Sequence, residues 1–142
     1  MVMPSAHQAL ADFSAAVKLK FVQGDPGALY AYGLFFQQVN RDYAFFGLQN
    51  DGYFRLTMVQ GNGGQQIFVD PAPAMRRGPG QINQIAVRTM GSDIICLVND
   101  QVTWQFHGNI PKGQIGLGVY AEYTGGPAQV EFTDFELRAP SP

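Results

Sequence analysis

Residues 93–107 read DIICLVNDQVTWQFH, two short apolar runs separated by Asn99-Asp100. A two-residue connection between strands needs positive φ at its central positions, and after glycine Asn and Asp tolerate this best. The stretch is therefore a β-hairpin whose turn sets the register: Leu97 faces Val102, and Ile95 faces Trp104. These four are expected on the core side. Ile94, Cys96 and Val98 then lie on the other face, opposite Gln105, Thr103 and Gln101.

The same period of two continues in both directions along the chain. Phe13, Val17, Leu19 and Phe21 share one parity while Lys18 and Lys20 take the other, the pattern of a strand with one dry and one wet face. Residues 30–38, 43–49 and 53–60 carry aromatic or aliphatic side chains on both parities, separated by Val39-Asn40-Arg41-Asp42 and Asn50-Asp51-Gly52. Residues 65–70, 81–89, 93–98, 101–106, 114–121 and 128–138 complete about ten strands, with Gly, Pro or Asn at most junctions. In the last, Val130 and Phe132 share one parity and Phe135 and Leu137 the opposite one, so a β-bulge near Thr133-Asp134 is expected to turn all four inward. Only residues 5–16 have helical composition, with Ser5 and Gln8 spaced as a capping box. The fold class is all-β, an antiparallel two-sheet β-sandwich.

Composition agrees and excludes several classes. Seventeen glycines and nine prolines in 142 residues supply many turns, and 46% hydrophobic against 14% charged residues is incompatible with a disordered tail or a coiled coil. The length suits one domain, expected over 12–138, with a tail or short helix at 1–11 and a tail at 139–142. Nine Lys and Arg against eleven Asp and Glu give a net charge of -2 with no basic stripe, so no nucleic-acid partner is expected. Cys96 is the single cysteine, which excludes an intrachain disulfide and a multi-thiolate metal site. No run approaches the roughly 18 apolar residues of a membrane span. The N-terminus has neither a basic start nor an apolar stretch, so the expectation is a cytoplasmic chain or a domain of a larger secreted protein.

The order Tyr32-Gly33-Leu34-Phe35-Phe36, Asp42-Tyr43-Ala44-Phe45-Phe46, Asp51-Gly52-Tyr53-Phe54-Arg55-Leu56, Asn83-Gln84-Ile85-Ala86-Val87, Leu97-Val98-Asn99-Asp100, Gly113-Gln114-Ile115-Gly116-Leu117 and Phe132-Thr133-Asp134-Phe135 resembles the concanavalin A-like lectin/glucanase superfamily. The likeness is nearest to its laminin G-like branch and to related glycan-processing jelly rolls, and covers roughly residues 12 to 138. It implies a jelly roll of two curved sheets whose concave face binds glycans. It also implies a structural calcium near Asp134, which stands where such domains carry an aspartate before the final strand, with Asp12 as a neighbour; the alternative is that Asp134 satisfies backbone donors at the bulge.

Catalytic patterns are weaker. The Glu-x-Asp-x-x-Glu strand of the superfamily's retaining glucanases is missing; Glu131, Asp134 and Glu136 are spaced differently and read as solvated charges. Gln105-Phe106-His107 and Gly118-Val119-Tyr120 resemble elements of alginate lyases, with His107 as base, Tyr120 as acid and Arg88 as the uronate's cation, but the Arg-Thr-Glu stretch of those enzymes is only Arg88-Thr89-Met90 here. Arg76-Arg77, between proline and glycine clusters, is a solvated loop or a rim contact for an acidic partner.

A glycan site needs aromatic platforms and planar polar groups on a rigid scaffold. With Phe46, Leu48, Phe54 and Leu56 in the core, Tyr43, Phe45, Gln49, Tyr53 and Arg55 face outward, to be joined by Arg88, Gln105, Tyr120 and Glu122. This patch is the expected ligand site of a non-catalytic module, carbohydrate being the first ligand. The same aromatics also suit a face covered by another protein or a second copy of the chain, and both readings stay open.

Overall fold

The computed structural model describes residues 13–25, 27–37, 42–60, 63–78, 80–107, 114–122 and 127–138. Ten strands occupy them: β1 (Phe13–Gln23), β2 (Leu29–Gln37), β3 (Tyr43–Gln49), β4 (Tyr53–Val59), β5 (Gln65–Pro71), β6 (Ile82–Met90), β7 (Asp93–Val98), β8 (Gln101–His107), β9 (Gln114–Glu122) and β10 (Gln129–Arg138). They form two five-stranded antiparallel sheets. Sheet A has the order β10-β1-β6-β7-β8, and sheet B the order β5-β4-β3-β2-β9. Among the described residues there is no helix, and so none long and apolar enough to cross a membrane. Phe13 to Ala16, the end of the segment with helical composition, are strand; its beginning lies outside the described residues.

Alternation places the core between the sheets. Phe13, Ala15, Val17 and Leu19 of β1 enter it, with Ile85 and Val87 of β6, and across from them Tyr32, Leu34, Phe36, Phe46, Leu48, Phe54 and Leu56 of sheet B. Large rings carry much of the contact between layers: Phe13 meets Phe36 at 5.7 Å and Phe21 stacks on Tyr32 at 5.6 Å.

The Asn99-Asp100 turn forms as expected, with φ of 50° and 66°. Leu97 pairs with Val102, but a bulge between Cys96 and Leu97 shifts the rest of the hairpin, so that Trp104 pairs with Cys96 and Ile95 with Gln105. The expected facing is therefore corrected: Ile94, Cys96 and Val98 of β7 enter the core between the sheets, Leu97 is buried but outside that cluster, Ile95 is only partly buried, and Val102 is 58% exposed. Trp104 does reach the core margin, packing against Phe54 and Phe68 of sheet B. The β10 bulge stands where the sequence places it. Ala16 pairs with Glu136 but Lys18 with Thr133, Asp134 has φ 53°, and Val130, Phe132, Phe135 and Leu137 all pack on the core.

Burial pushes the Cys96 thiol up to about 12, and burial, with the Asp51 carboxylate adding to it, does the same to the Tyr32 phenol. Unfolding returns both to their ordinary values of 9.0 and 10.0, so the unfolded chain loses these protons first. Their contribution is complete below about pH 9 and is lost as pH climbs toward 12. Thermal melting should thus fall over that interval, and the slope should flatten in the Cys96→Ala, Tyr32→Phe double variant; equal slopes would refute the assignment. Phe46→Ala, at a fully buried position, should cost about 3–5 kcal/mol by urea titration.

Candidate functional site

The outer face of sheet B differs from an ordinary wet face. Its ladders align Gly118, Gly33, Gly47, Arg55 and Val69 in one row across five strands, and Gly116, Phe35, Phe45, Thr57 and Ile67 in the next. The glycines give the neighbouring rings room to lie down on the sheet. A β-carbon at Gly118 would stand 2.3 Å from the Phe35 ring, and one at Gly47 would stand 2.5 Å from the Phe45 ring. Phe35 then packs on Phe45 at 4.7 Å between ring centres and reaches Tyr43 at 6.3 Å.

Beside these rings a depression of about 210 Å³ is lined by Phe35, Tyr43, Phe45, Arg55, Thr57 and Gln65. The Arg55 Nε donates to the Thr57 hydroxyl at 3.3 Å, which orients the guanidinium along the sheet. A second hollow of about 480 Å³, at the β4–β5 hairpin end, shares Tyr43 and Gln65 with it. The combination offers ring surface for an apolar ligand face, with guanidinium, hydroxyl and amide groups for hydroxyls.

The expected site residues divide. Tyr43, Phe45, Gln49, Tyr53 and Arg55 share the outer parity of β3 and β4, but Phe45 and Gln49 are only 1% and 2% exposed, so the accessible part of the patch is Tyr43, Tyr53 and Arg55. Tyr120 pairs with Ala31 and Glu122 with Leu29 in the β2–β9 ladder, which places both on β9 of the same sheet; their side chains lie outside the described residues. Arg88 and Gln105 do not join them. Both belong to sheet A, where each pairs with Ile95 on the exposed outer side of the sandwich. Phe35, Thr57 and Gln65 complete the depression and were not picked out from sequence, although the double-parity aromatics of β2 pointed to Phe35.

Gln49 carries one further feature. Its Nε2 donates to Asp51 Oδ1 at 3.1 Å, which fixes the amide, and Oε1 remains a buried acceptor with no hydrogen-bond partner. A buried unpaired acceptor costs roughly 1–3 kcal/mol.

The residues considered for catalysis are dispersed. His107 ends β8 at one edge of sheet A, its Nδ1 2.6 Å from Asp93 Oδ1, while Tyr120 is on β9 at the opposite edge of sheet B. They cannot flank one substrate. Glu136 pairs with Arg138 at 3.2 Å and Glu131 is exposed. Among the described residues no three His, Cys, Asp or Glu side chains come together as a metal site. The Asp134 carboxylate is exposed and 3.0 Å from Lys18 Nζ, and Asp12 lies outside the described residues. Calcium takes six or so oxygens, so beside this one carboxylate, already paired to an ammonium, backbone carbonyls would have to supply most of the ligands.

No protein-family profile matches the sequence, and no curated protein matches it at a significant level. Solved structures do match in fold. Sheep galectin-11 in complex with glycerol is 15% identical, with 96% of this chain and 93% of that one superimposed at a TM-score of 0.66. The carbohydrate-binding module CBM66 from Bacillus subtilis is 11% identical over 89% of this chain and 74% of its own, at a TM-score of 0.63. Human galectin-16 is 9% identical over 98% and 92%, at 0.62. The chain therefore has the concanavalin A-like jelly-roll fold seen in galectins and carbohydrate-binding modules.

Melting in excess calcium and then in chelator should give equal temperatures. An ion present at about 100 times its dissociation constant would add about 2.7 kcal/mol to the folded state and separate the two curves.

Proposed function

We propose that the chain is a non-catalytic carbohydrate-binding module that holds its ligand against the outer face of sheet B. The observation that carries this is the depression formed by Phe35, Tyr43 and Phe45 with Arg55, Thr57 and Gln65 on its margin. Phe35, seated over Gly118 and backed by the buried Phe45, forms with Tyr43 a fixed aromatic wall, and the polar groups around it reach the rim of a sugar ring. The fold neighbours support the class, two being galectins and one a carbohydrate-binding module. Within the concanavalin A-like jelly rolls we place the chain nearest the laminin G-like branch, on the order of its strand motifs alone.

A second reading, a self-associating or protein-binding module, is favoured by a specific strip. Tyr53, Ile67 and Val69 lie on the same outer face and are 39%, 45% and 41% exposed. Such a strip beside an aromatic surface suits a covered interface.

A glycan array with the purified chain, run beside sedimentation velocity, separates the two. For a carbohydrate module the chain sediments as a monomer and retains a subset of glycans. Tyr43→Ala then weakens retention about tenfold and changes stability by less than about 1 kcal/mol, because a half-exposed ring leaves little cavity. A silent array with a concentration-dependent mass, lowered by the same substitution, would replace the first reading with the second.

A further inference from the structure

The depression on the sheet B face does not end at its own margin. By itself, at about 210 Å³, it is smaller than the roughly 300–1,000 Å³ of small-molecule sites. The hollow of about 480 Å³ beside it brings the pair well inside that range. Tyr43 and Gln65 belong to both linings. The ladders show why: Tyr43 pairs with Val59 and Val59 with Gln65, so the three stand in one outward row across β3, β4 and β5. This row is a sill between the hollows. On one side lie Phe35, Arg55 and Thr57, and on the other the chain turns over the end of the sheet through Gln60 and Gly64.

The second hollow has an apolar floor and an amide rim. Met58 and Val59 form the floor, both half-buried, and Met58 also packs on the core. Around them Gln60, Gln65 and Gln66 are exposed, and among the described residues none of their side-chain amides takes part in a hydrogen bond. Each therefore has a donor and an acceptor free for a ligand. Gln49 differs, because its Nε2 is already held by Asp51. The walls are fixed by the chain's own bonds. The Gln60 N–H donates to the Gly64 carbonyl at 2.7 Å and the Gly63 N–H to the Gln60 carbonyl at 2.9 Å, which closes the neck of the β4–β5 hairpin. A site framed in this way does not have to be ordered by its ligand, which removes one of the main costs of binding.

We infer that the two hollows are one elongated site for a linear, neutral oligosaccharide of at least two residues, with one sugar against Phe35 and Tyr43 and the next on Met58 and Val59 among the three glutamine amides. The length follows from spacing. Outward rows on a strand repeat every two residues, about 7 Å, which is comparable with the span of one sugar unit in a chain. Hydroxyls both donate and accept, and so do the amides that face them. Asp42 lines one hollow and Arg55 the other, opposite in sign, so the lining calls for no net ligand charge. The inference rests on the carbohydrate reading for the chemical class, and adds the length of the ligand and the residues that sense it.

The test is a heteronuclear NMR titration of the full chain with glucose, galactose and mannose, and with the linear β-1,4-linked disaccharide and trisaccharide of each. A monosaccharide should shift the backbone amides of Arg55 and Thr57 but not those of Gln60, Gly64 and Gln66. A disaccharide should shift all five and bind about tenfold more tightly. The Gln60→Ala, Gln66→Ala double variant, changed at two exposed side chains, should lose that gain and keep the monosaccharide affinity, with its remaining amide resonances in place as the check on folding. Met90→Ala, on sheet A, should alter neither affinity. Disaccharides that bind no better than monosaccharides, and shift only Arg55 and Thr57, overturn the elongated site and leave the carbohydrate reading standing. A gain that the double variant retains also overturns it, since the second sugar then lies elsewhere. If no member of the series shifts any residue the inference falls, and a silent glycan array beside it removes the carbohydrate reading as well.

Discussion

The pairing of Gly33 with Gly47 sets the geometry on which sheet B is built. A β-carbon at either position would stand 2.3 Å from a backbone oxygen of the facing strand, Phe46 in one case and Tyr32 in the other. No side chain can be accommodated there, so the two strands approach each other only where both residues are glycine. A slip by one residue would bring Leu34 or Phe46 into that space and turn the buried faces of both strands outward. The same pair determines what happens on each side of the sheet. Inward, Leu34, Phe46 and Leu48 are brought into the core; outward, the missing side chains leave the floor on which Phe35 and Phe45 lie.

At the end of the sandwich the constraint is polar. Loops that connect one sheet to the other cannot use ladder hydrogen bonds, yet their backbone groups still need partners. Asn50, Asn83 and Asn99 supply them through side-chain amides, each of which offers a donor and an acceptor. Asn99 joins two roles, since its backbone takes the positive φ of the hairpin turn while its amide reaches Ala74 and Asn83. Stability of the hairpin and the course of the β5–β6 loop are thereby linked through one residue.

Much of this fold was legible in the sequence because it is local. The Asn99-Asp100 turn, the parity change around Thr133-Asp134 and the alternation of β1 each depend on neighbours in the chain. The facing of β7 was not. Ile94 to Val98 are five apolar residues in succession, so either parity could serve as the buried one, and the choice falls to sheet stacking and to the bulge opposite Leu97. The site shows the same division. Outer parity for Tyr43, Tyr53 and Arg55 follows from their own strands, whereas the separation of Arg88 and Gln105 from them depends on which sheet β6 and β8 join, a long-range property that alternation does not encode. The burial of Phe45 and Gln49 is likewise invisible to parity, which distinguishes two faces but not what covers them.

The two outer faces of the sandwich show what selection by solvent alone would have produced. Sheet A exposes Ile82, Met90 and Val102 singly, but sets among them Lys18 against Asp134, Arg138 against Glu136 and His107 against Asp93, exposed pairs of the kind that contribute little to stability and much to hydration. The outer face of sheet B, in the same molecule and exposed to the same solvent, presents Phe35, Tyr43, Tyr53, Ile67 and Val69 beside Arg55. Hydration does not require such a face, and the core does not use it, because the core lies on the opposite side of the same strands. The glycine row adds a second cost, since glycine within a strand loses backbone entropy and gives up a side chain that could pack. A surface that is both poorly hydrated and built at the expense of strand stability is what the proposed binding role would account for, with the Phe35 and Tyr43 rings, rather than the strands beneath them, as the part of sheet B offered to a ligand.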